Sequence, residues 1–367
     1  MSVYWNERTR GLIPYVPGEQ PKDKKFIKLN TNENPYPPSP LVIQAIQRAS
    51  GESLRLYPDP ACTELRQAIA TRYNLEADEV FAANGSDEAL AFAFAAFFQP
   101  SGSILFPDIT YSFYPVYADL WDISYKTIPL EADFSMDIST YLEILSRGES
   151  GGIIFPNPNA PTGMAISLED IRIIAAAAQR NKRVVVVDEA YIAFADAQGI
   201  SSAITLIKEF PNLLVVQTLS KEASLAGLRA GFALGSQGLI EGLCRIRDSF
   251  NSYTLDRLAL AGATAAIKDA GYYEEIACRV VATRRRVSAG LQALGFRVLP
   301  SQANFLFASV PAVGKSGREF FAALKERGIL VRHFDKPRIA DFLRISIGTD
   351  EEMDVFLKEC GEISGTA

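Results

Sequence analysis

Short apolar runs alternate along the chain with stretches whose apolar positions recur at three- and four-residue spacing. Residues 183–188, Arg-Val-Val-Val-Val-Asp, form an unbroken β-branched run that ends in an acid. Such a run suits a strand covered on both faces in a parallel sheet. Residues 213–217, Leu-Leu-Val-Val-Gln, repeat the pattern after one helical spacing, and residues 103–106 and 152–155 read as shorter strands. Between them lie helical stretches. Residues 89–98 form one, rich in Ala and Phe and preceded by Ser86-Asp-Glu, and residues 168–179 form another. Ser167 is placed to cap the second, with Asp170 where a capping box carries Glu or Gln.

Strands separated by helices predict an α/β fold: a large domain with a mostly parallel sheet flanked by helices. After residue 249 the pattern turns helical and then gives short strands at 305–307 and 342–346, which predicts a smaller α+β domain. Residues 1–40 are irregular and proline-rich, densest in Asn32-Glu-Asn-Pro-Tyr-Pro-Pro-Ser-Pro40, and read as an extended arm. The expected division is an arm contributing to the small domain (1–40), a large domain (41–260) and a small C-terminal domain (261–367). The Phe92, Phe94, Phe97 and Phe98 stripe reads as core packing, and Arg284-Arg-Arg286 as the solvated face of a helix.

Composition narrows the function classes. With 48% hydrophobic and 22% charged residues over 367 positions, the chain is ordinary globular material. A net charge of −6 gives no basic footprint for nucleic acid or anionic lipid. The longest apolar run, residues 89–98, is about half a bilayer crossing. The first ten residues are polar and unlike a signal peptide, so the expected location is the cytoplasm. The four cysteines, Cys62, Cys244, Cys278 and Cys360, form no C-x-x-C pair and read as buried free thiols, with no metal site. His333 is the one histidine, and no G-x-S-x-G elbow accompanies it. Acid–base chemistry therefore falls to Lys, Tyr, Asp and Glu, or to a cofactor.

In an open parallel sheet, ligands bind beyond the carboxyl ends of the strands. The residues that follow each apolar run are Pro156-Asn-Pro-Asn-Ala-Pro-Thr-Gly163, Asp188-Glu-Ala-Tyr191 and Thr218-Leu-Ser-Lys221, with Leu225-Ala-Gly-Leu-Arg229 further on. Ahead of the Ala/Phe helix stands Asn84-Gly-Ser-Asp-Glu88. Gly85, Ser86 and Asp87 at a helix start offer free N–H groups for an anion. Ser220 and Arg229 add a hydroxyl and a cation, enough together to hold one phosphate. A desolvated Lys221 can condense with an aldehyde, and Asp188 can pair with a protonated ring nitrogen. Any one of these residues alone is as easily a cap, a surface lysine or a structural ion pair. Four loops supplying the parts of one site describe pyridoxal 5′-phosphate.

These residues, with Pro14-Tyr-Val-Pro-Gly-Glu-Gln20, Leu29-Asn-Thr-Asn-Glu-Asn-Pro35, Arg55-Leu-Tyr-Pro-Asp59 and Leu343-Arg-Ile-Ser-Ile-Gly348, make nearly the whole chain resemble the fold-type I pyridoxal-phosphate aminotransferases. Within that class the chain is similar to the histidinol-phosphate aminotransferase family. The resemblance implies a covalent imine between Lys221 and the cofactor, with Lys221 also moving the proton, Asp188 on the ring nitrogen and Tyr191 on the ring hydroxyl. It implies that Tyr111 stacks on the ring and that Ser86, Asp87, Ser220 and Arg229 surround the phosphate. Tyr57 is implied to reach the phosphate of a neighbouring subunit in a homodimer. Tyr15, Asn32, Asn304, Arg332 and Arg344 are implied at the substrate, which would be histidinol phosphate, with glutamate and 2-oxoglutarate as the other pair. Neither a nucleic acid nor a membrane is an expected partner.

Two positions depart from the family pattern. Ala160 stands where an Asn usually bonds the ring hydroxyl, leaving that contact to Asn159, Asn157 or Tyr191 alone. Phe250 stands where some relatives have a Tyr, so one hydroxyl is missing or Tyr253 supplies it. A threonine-phosphate decarboxylase and an aromatic or broad-specificity aminotransferase are the related alternatives. A cofactor-binding regulator is the alternative from another class; the intact Lys221, Asp188 and Tyr191 set favours an enzyme.

Overall fold

The computed structural model describes residues 2–16, 18–19, 26–311 and 314–365; Pro17 and Gln20 of the arm motif lie outside them. A seven-stranded sheet forms the centre, in the order Val80–Ala83, Gly231–Gly235, Leu213–Thr218, Val185–Asp188, Gly152–Pro156, Ile104–Pro107, Tyr125–Ile128. Gly231–Gly235 runs antiparallel to both its neighbours and the other pairs are parallel. The mixed α/β fold with a mostly parallel sheet is thus the one expected.

The β-branched run forms a central strand because both faces are covered, and the two-residue period sorts its side chains into two apolar layers. Val185, Val187, Leu213 and Val215 enter one layer with Ile171, Ile174 and Phe194. Val186, Leu214 and Val216 enter the other with Phe92, Phe94, Tyr114 and Leu243. Phe97 is partly buried against that second layer, so the Phe stripe is core. The Leu168–Arg180 helix opens as expected, with Asp170 completing the capping box: Asp170 N donates to Ser167 Oγ at 3.1 Å and Ser167 N to Asp170 Oδ2 at 3.1 Å.

Registers place the strand ends together. Pro156 pairs with Asp188 and Asp188 with Val216, while Gly231 lies opposite both Thr218 and Ala83. The Gly85–Phe97 helix therefore starts beside the Lys221 turn. A second sheet of four strands, Arg332–His333, Phe342–Ser346, Phe305–Ser309 and Arg297–Val298, is antiparallel throughout.

Three expectations are corrected. The arm is not wholly irregular: Asn6 caps a short helix, Glu7–Gly11, and Ile27–Lys28 pairs in parallel with Ile329–Leu330. The hydrogen-bonding partners come from about 300 residues away, which local composition does not encode. Arg284 does not face solvent. It is 3% exposed and ion-paired with Asp196, because the Ala270–Ala293 helix is covered on that side by residues 194–196 and 303. Nor are all four thiols buried: Cys62 and Cys360 are, Cys244 is half-buried, and Cys278 is exposed on the helix face opposite Ile276 and Val280. Among the described residues no helix is long and apolar enough to cross a membrane.

Gly231 is where the sheet and the helix start touch. A Cβ there would lie 2.5 Å from Ser86 N and 2.6 Å from the Gly85 carbonyl carbon, both backbone atoms. Gly231→Ala is expected to destabilise the fold by about 1–3 kcal/mol in denaturant titration. Gly227→Ala, whose methyl would meet nothing within 4 Å, should change stability little.

Candidate active site

Beyond the strand ends lies a cavity of about 230 Å³ that touches Lys221, Asp188, Tyr191, Ser86, Asp87, Ser220, Arg229, Tyr111, Asn32, Tyr15 and Arg344. Lys221 reaches it because the chain turns immediately after the Leu213–Thr218 strand. Thr218 Oγ1 accepts from Ser220 N at 3.1 Å, and Leu219 N donates to Ala230 O at 3.0 Å. Lys221 Nζ donates to Thr31 O at 3.0 Å, and Asn34 Nδ2 holds the Lys221 carbonyl at 3.0 Å. Burial, helped by the Arg344 charge, pushes the Lys221 ammonium down to about 8. Near neutral pH it is thus poised to give up a proton and act as a nucleophile.

Asp188 is 4% exposed and has no cationic partner among the described residues' ion pairs. Tyr114 OH donates to its Oδ2 at 3.1 Å and Ala190 N to its Oδ1 at 3.3 Å. Burial pushes the carboxyl up to about 7 against those two bonds. A carboxyl of this kind favours a cation brought by a ligand, and a pyridinium N–H fits.

The anion cup is open for a structural reason. Asn84 stands at the cap position, yet its side chain donates to Thr254 O at 3.0 Å and does not cap the helix, which leaves its first N–H groups without that cap. Arg229, in left-handed backbone, points its guanidinium at the cup: a Cβ on Gly85 would lie 2.7 Å from Nη2. Asp87 holds that guanidinium at 3.2 Å and takes the Tyr111 hydroxyl at 2.7 Å. Its carboxylate therefore orients the cation and the ring, while Ser86, Ser220 and Arg229 are the groups free to meet an anion.

Tyr191 is buried, edge-on to Phe305 with centroids 5.0 Å apart, and its hydroxyl accepts from Asn32 Nδ2 at 3.0 Å. Asn32 has φ +57° and is locked by Ser346, which accepts its N–H at 2.8 Å and donates to its Oδ1 at 2.9 Å. Asn304 Nδ2 donates to Asn32 O at 3.0 Å, so Asn304 supports the wall from behind.

At the far end, Arg332 and Arg344 face each other in register on adjacent strands. Neither belongs to an ion pair among the described residues. Arg344 Nη2 donates to Asn30 O at 3.0 Å, its Nε is buried with no hydrogen-bond partner among the described residues, and burial lowers the guanidinium's proton affinity, with Arg332 adding to the effect. Two close cations without a carboxylate form an anion site. Tyr15 packs against Phe113 at 4.3 Å on the same rim.

Some expected residues are elsewhere. Asn159 is turned away, donating to Ile109 O and to Thr162 Oγ1, each at 3.0 Å, while Ala160 lines the cavity. Asn157 is bonded to Ile166. Tyr191 and Asn32 are what remain for a ring hydroxyl. Tyr57 is 78% exposed and stacks on Tyr253 at 4.6 Å, outside its own chain's cavity; Phe250 is 73% exposed against Phe92. Thr31, Glu33, Tyr114 and Thr218 shape the site without having been anticipated. The polar run Asn30-Thr-Asn-Glu-Asn34 was the available signal for the first two.

Fold and site define an aminotransferase of the pyridoxal-phosphate type: residues 24–359 match the class I and II aminotransferase family, and the chain belongs to it. Within that family it falls among the histidinol-phosphate aminotransferases. It is 54% identical to the histidinol-phosphate aminotransferase of Clostridium acetobutylicum, covering 98% of this chain and 99% of that one. It is also 54% identical to the enzyme of that name from Clostridium beijerinckii, with 98% and 97% covered. The fold superposes on the Sinorhizobium meliloti histidinol-phosphate aminotransferase, solved with pyridoxal 5′-phosphate, at a TM-score of 0.89 and 24% identity over 100% of this chain and 99% of that one. Pyridoxal 5′-phosphate is the cofactor of the family, and the unpaired Asp188, the open cup and the depressed Lys221 fit it.

In the cofactor-free protein, aldehyde uptake by Lys221 should follow the neutral amine. Its rate should rise with pH to a midpoint of about 8 and vanish in Lys221→Arg. A midpoint near the ordinary lysine value would show that the amine is not held in this desolvated place.

Proposed function

We propose that the enzyme transfers the amino group of histidinol phosphate to 2-oxoglutarate, giving imidazole-acetol phosphate and glutamate in histidine biosynthesis. The observation that carries this is the in-register Arg332 and Arg344 pair, neither in an ion pair among the described residues, with Arg344 on the wall of the cavity that holds Lys221. A planar guanidinium takes a phosphate or a carboxylate in the same forked geometry, so one locus serves both substrates.

When bound, the cofactor supplies an aldehyde that holds the substrate nitrogen and a ring that takes up electron density from the substrate Cα. The chain does the rest. Ser86, Ser220, Arg229 and the free N–H groups of the helix start grip the cofactor's phosphate. Asp188 holds a proton at the ring nitrogen, where its own preference for the protonated form is relieved by the positive charge it gains. The Tyr191 hydroxyl, fixed by Asn32, bonds the ring hydroxyl. Tyr111, its hydroxyl anchored on Asp87, would lie against the ring. Lys221 Nζ would take the proton from substrate Cα in its neutral form and return it to the cofactor carbon that retains the nitrogen. Arg344 and Arg332, with Tyr15 at the rim and Asn304 behind the wall, orient the substrate's anionic end.

The chain divides into residues 1–40, 41–260 and 261–367, the first joining the last, which the pairing of Ile27–Lys28 with Ile329–Leu330 supports. Tyr57 completes the phosphate site of a neighbouring subunit, so the enzyme works as a homodimer with shared sites. Its exposure beside Leu54, Leu56 and Tyr253, all exposed, supports this. The enzyme works in the cytoplasm. A decarboxylase and an aromatic aminotransferase share these cofactor contacts, but the names of the relatives at 54% identity favour neither.

The test is a visible spectrum of the cofactor-loaded protein. Histidinol phosphate alone should bleach the lysine-bound band and raise the amine-form band, and 2-oxoglutarate should reverse the change. An unchanged band with histidinol phosphate, but conversion by another amino donor, would overturn the substrate reading; release of carbon dioxide from threonine phosphate would replace it with the decarboxylase. Lys221→Ala should keep the cofactor through its phosphate yet lose turnover by at least a factor on the order of 10². Arg344→Lys should raise the KM for histidinol phosphate by about 10–100-fold, since the second charge-assisted bond is lost.

A further inference from the structure

Arg284 sits outside the cavity, yet its guanidinium closes a ring of bonds that ends on the Tyr191 hydroxyl. Its Nη1 donates to Phe194 O at 2.8 Å and to Ala303 O at 2.7 Å. Its Nη2 donates to Asp196 Oδ1 at 2.7 Å. From Phe194 the path runs backward along the chain: Phe194 N donates to Tyr191 O at 3.0 Å, closing the one-turn helix that carries the tyrosine. From Ala303 it runs forward to Asn304, whose Nδ2 holds Asn32 O at 3.0 Å, and Asn32 Nδ2 meets the Tyr191 hydroxyl at 3.0 Å. Ala303 and Phe305 also pack against the Tyr191 ring.

One planar cation thus fixes both the backbone end and the hydroxyl end of the same side chain. The segments it joins belong to different sheets. One follows a strand of the seven-stranded sheet and the other precedes a strand of the four-stranded sheet. A second stitch lies alongside, where Gln302 Oε1 accepts from Asp196 N at 2.8 Å and from Ala197 N at 3.0 Å. Asp196 is shared with Arg285 at 2.7 Å, which leaves Arg284 free to spend Nη1 on the two carbonyls. The ammonium of a lysine, a single nitrogen on a flexible stem, does not reproduce this fork.

We propose that Arg284 is a positioning residue for the Tyr191 hydroxyl, and that through the Ala303, Asn304 and Asn32 path it sets how strongly that hydroxyl bonds the ring oxygen of the cofactor. The proposal rests on the reading of Tyr191 as the residue that faces the ring hydroxyl. A donor withdrawn from the ring oxygen leaves that oxygen to hold the neighbouring proton more tightly. The pH midpoint of the visible lysine-bound band must then rise.

The experiment compares that midpoint in the cofactor-loaded parent, Tyr191→Phe, Arg284→Lys and the double variant, together with cofactor affinity. Tyr191→Phe should raise the midpoint by on the order of half a unit to one unit, the worth of one hydrogen bond. Arg284→Lys should raise it by part of that amount, and the double variant by no more than Tyr191→Phe alone. Cofactor affinity should change little in Arg284→Lys, because the phosphate cup is untouched. An unmoved midpoint in Arg284→Lys, or shifts that add in the double variant, would overturn the proposal. If Tyr191→Phe leaves the midpoint where it was, the reading of Tyr191 itself fails, and the proposal with it. Should Arg284→Lys not fold, Asp196→Asn takes its place. It loosens the same guanidinium and should move the midpoint upward by a smaller amount that Tyr191→Phe absorbs; no movement there would equally overturn the proposal.

Discussion

Charges held out of water without an ion-pair partner among the described residues are the constraint on which the rest of this structure depends. Asp188 has only hydroxyl and amide donors, Lys221 has a carbonyl, and Arg344 has a carbonyl and a neighbouring arginine. Leaving one such group uncompensated costs several kcal/mol. The chain bears this by shifting proton affinities: Asp188 up to about 7 and Lys221 down to about 8, so that each can become neutral. Those shifts are also what the chemistry uses. In the proposed reaction the carboxylate would keep a proton on the ring nitrogen, the neutral amine would take one from carbon, and the arginines would meet an anion.

Holding such groups demands a frame that does not relax around them. The central strands are covered on both faces, and no residue of Val185–Asp188 or Leu213–Thr218 reaches solvent appreciably. A close-packed interior resists the movement that would let a buried carboxyl find water or a stray lysine. The strand that turns back, Gly231–Gly235, adds a second restraint. By lying between Ala83 and Thr218 it brings the helix start, the Lys221 turn and Arg229 within one phosphate's reach, and only glycine fits where Gly231 meets Ser86 N.

Much of this was legible because chemistry in a parallel sheet collects at strand ends, and strand ends can be read from where an apolar run stops. Asp188 and Lys221 follow their runs within a few residues, so their meeting needed no knowledge of side-chain direction. Asn159 was misread because it does need that knowledge. It also follows a strand, but its loop turns the amide toward Ile109 and Thr162 and leaves Ala160 facing the cavity. Arg284 was misread for a related reason: three successive arginines on a helix point in three directions, and only the fold decides which is covered. Cys278 shows the same in reverse. The contribution of Ile27–Lys28 rests on a partner strand near residue 329, a pairing that no local pattern announces.

Asn32 ties these threads together. Its left-handed backbone is a conformation asparagine tolerates better than most residues. That geometry lets one residue touch Ser346 through its N–H and Oδ1, Asn304 through its carbonyl and Tyr191 through its Nδ2. The residues it gathers come from the Asp188-to-Tyr191 turn of the seven-stranded sheet, from the end of the Phe342–Ser346 strand and from just before the Phe305–Ser309 strand. Thr31 next to it meets Lys221, and Asn30 before that meets Arg344. Three consecutive arm residues therefore span the cavity from Arg344 to Lys221 and Tyr191. A displacement of the arm must be felt by all three groups at once. This explains why a segment with so little regular structure of its own carries the polar motif Asn30-Thr-Asn-Glu-Asn34, and why its short parallel pairing with Ile329–Leu330 matters to chemistry performed at the ends of a different sheet.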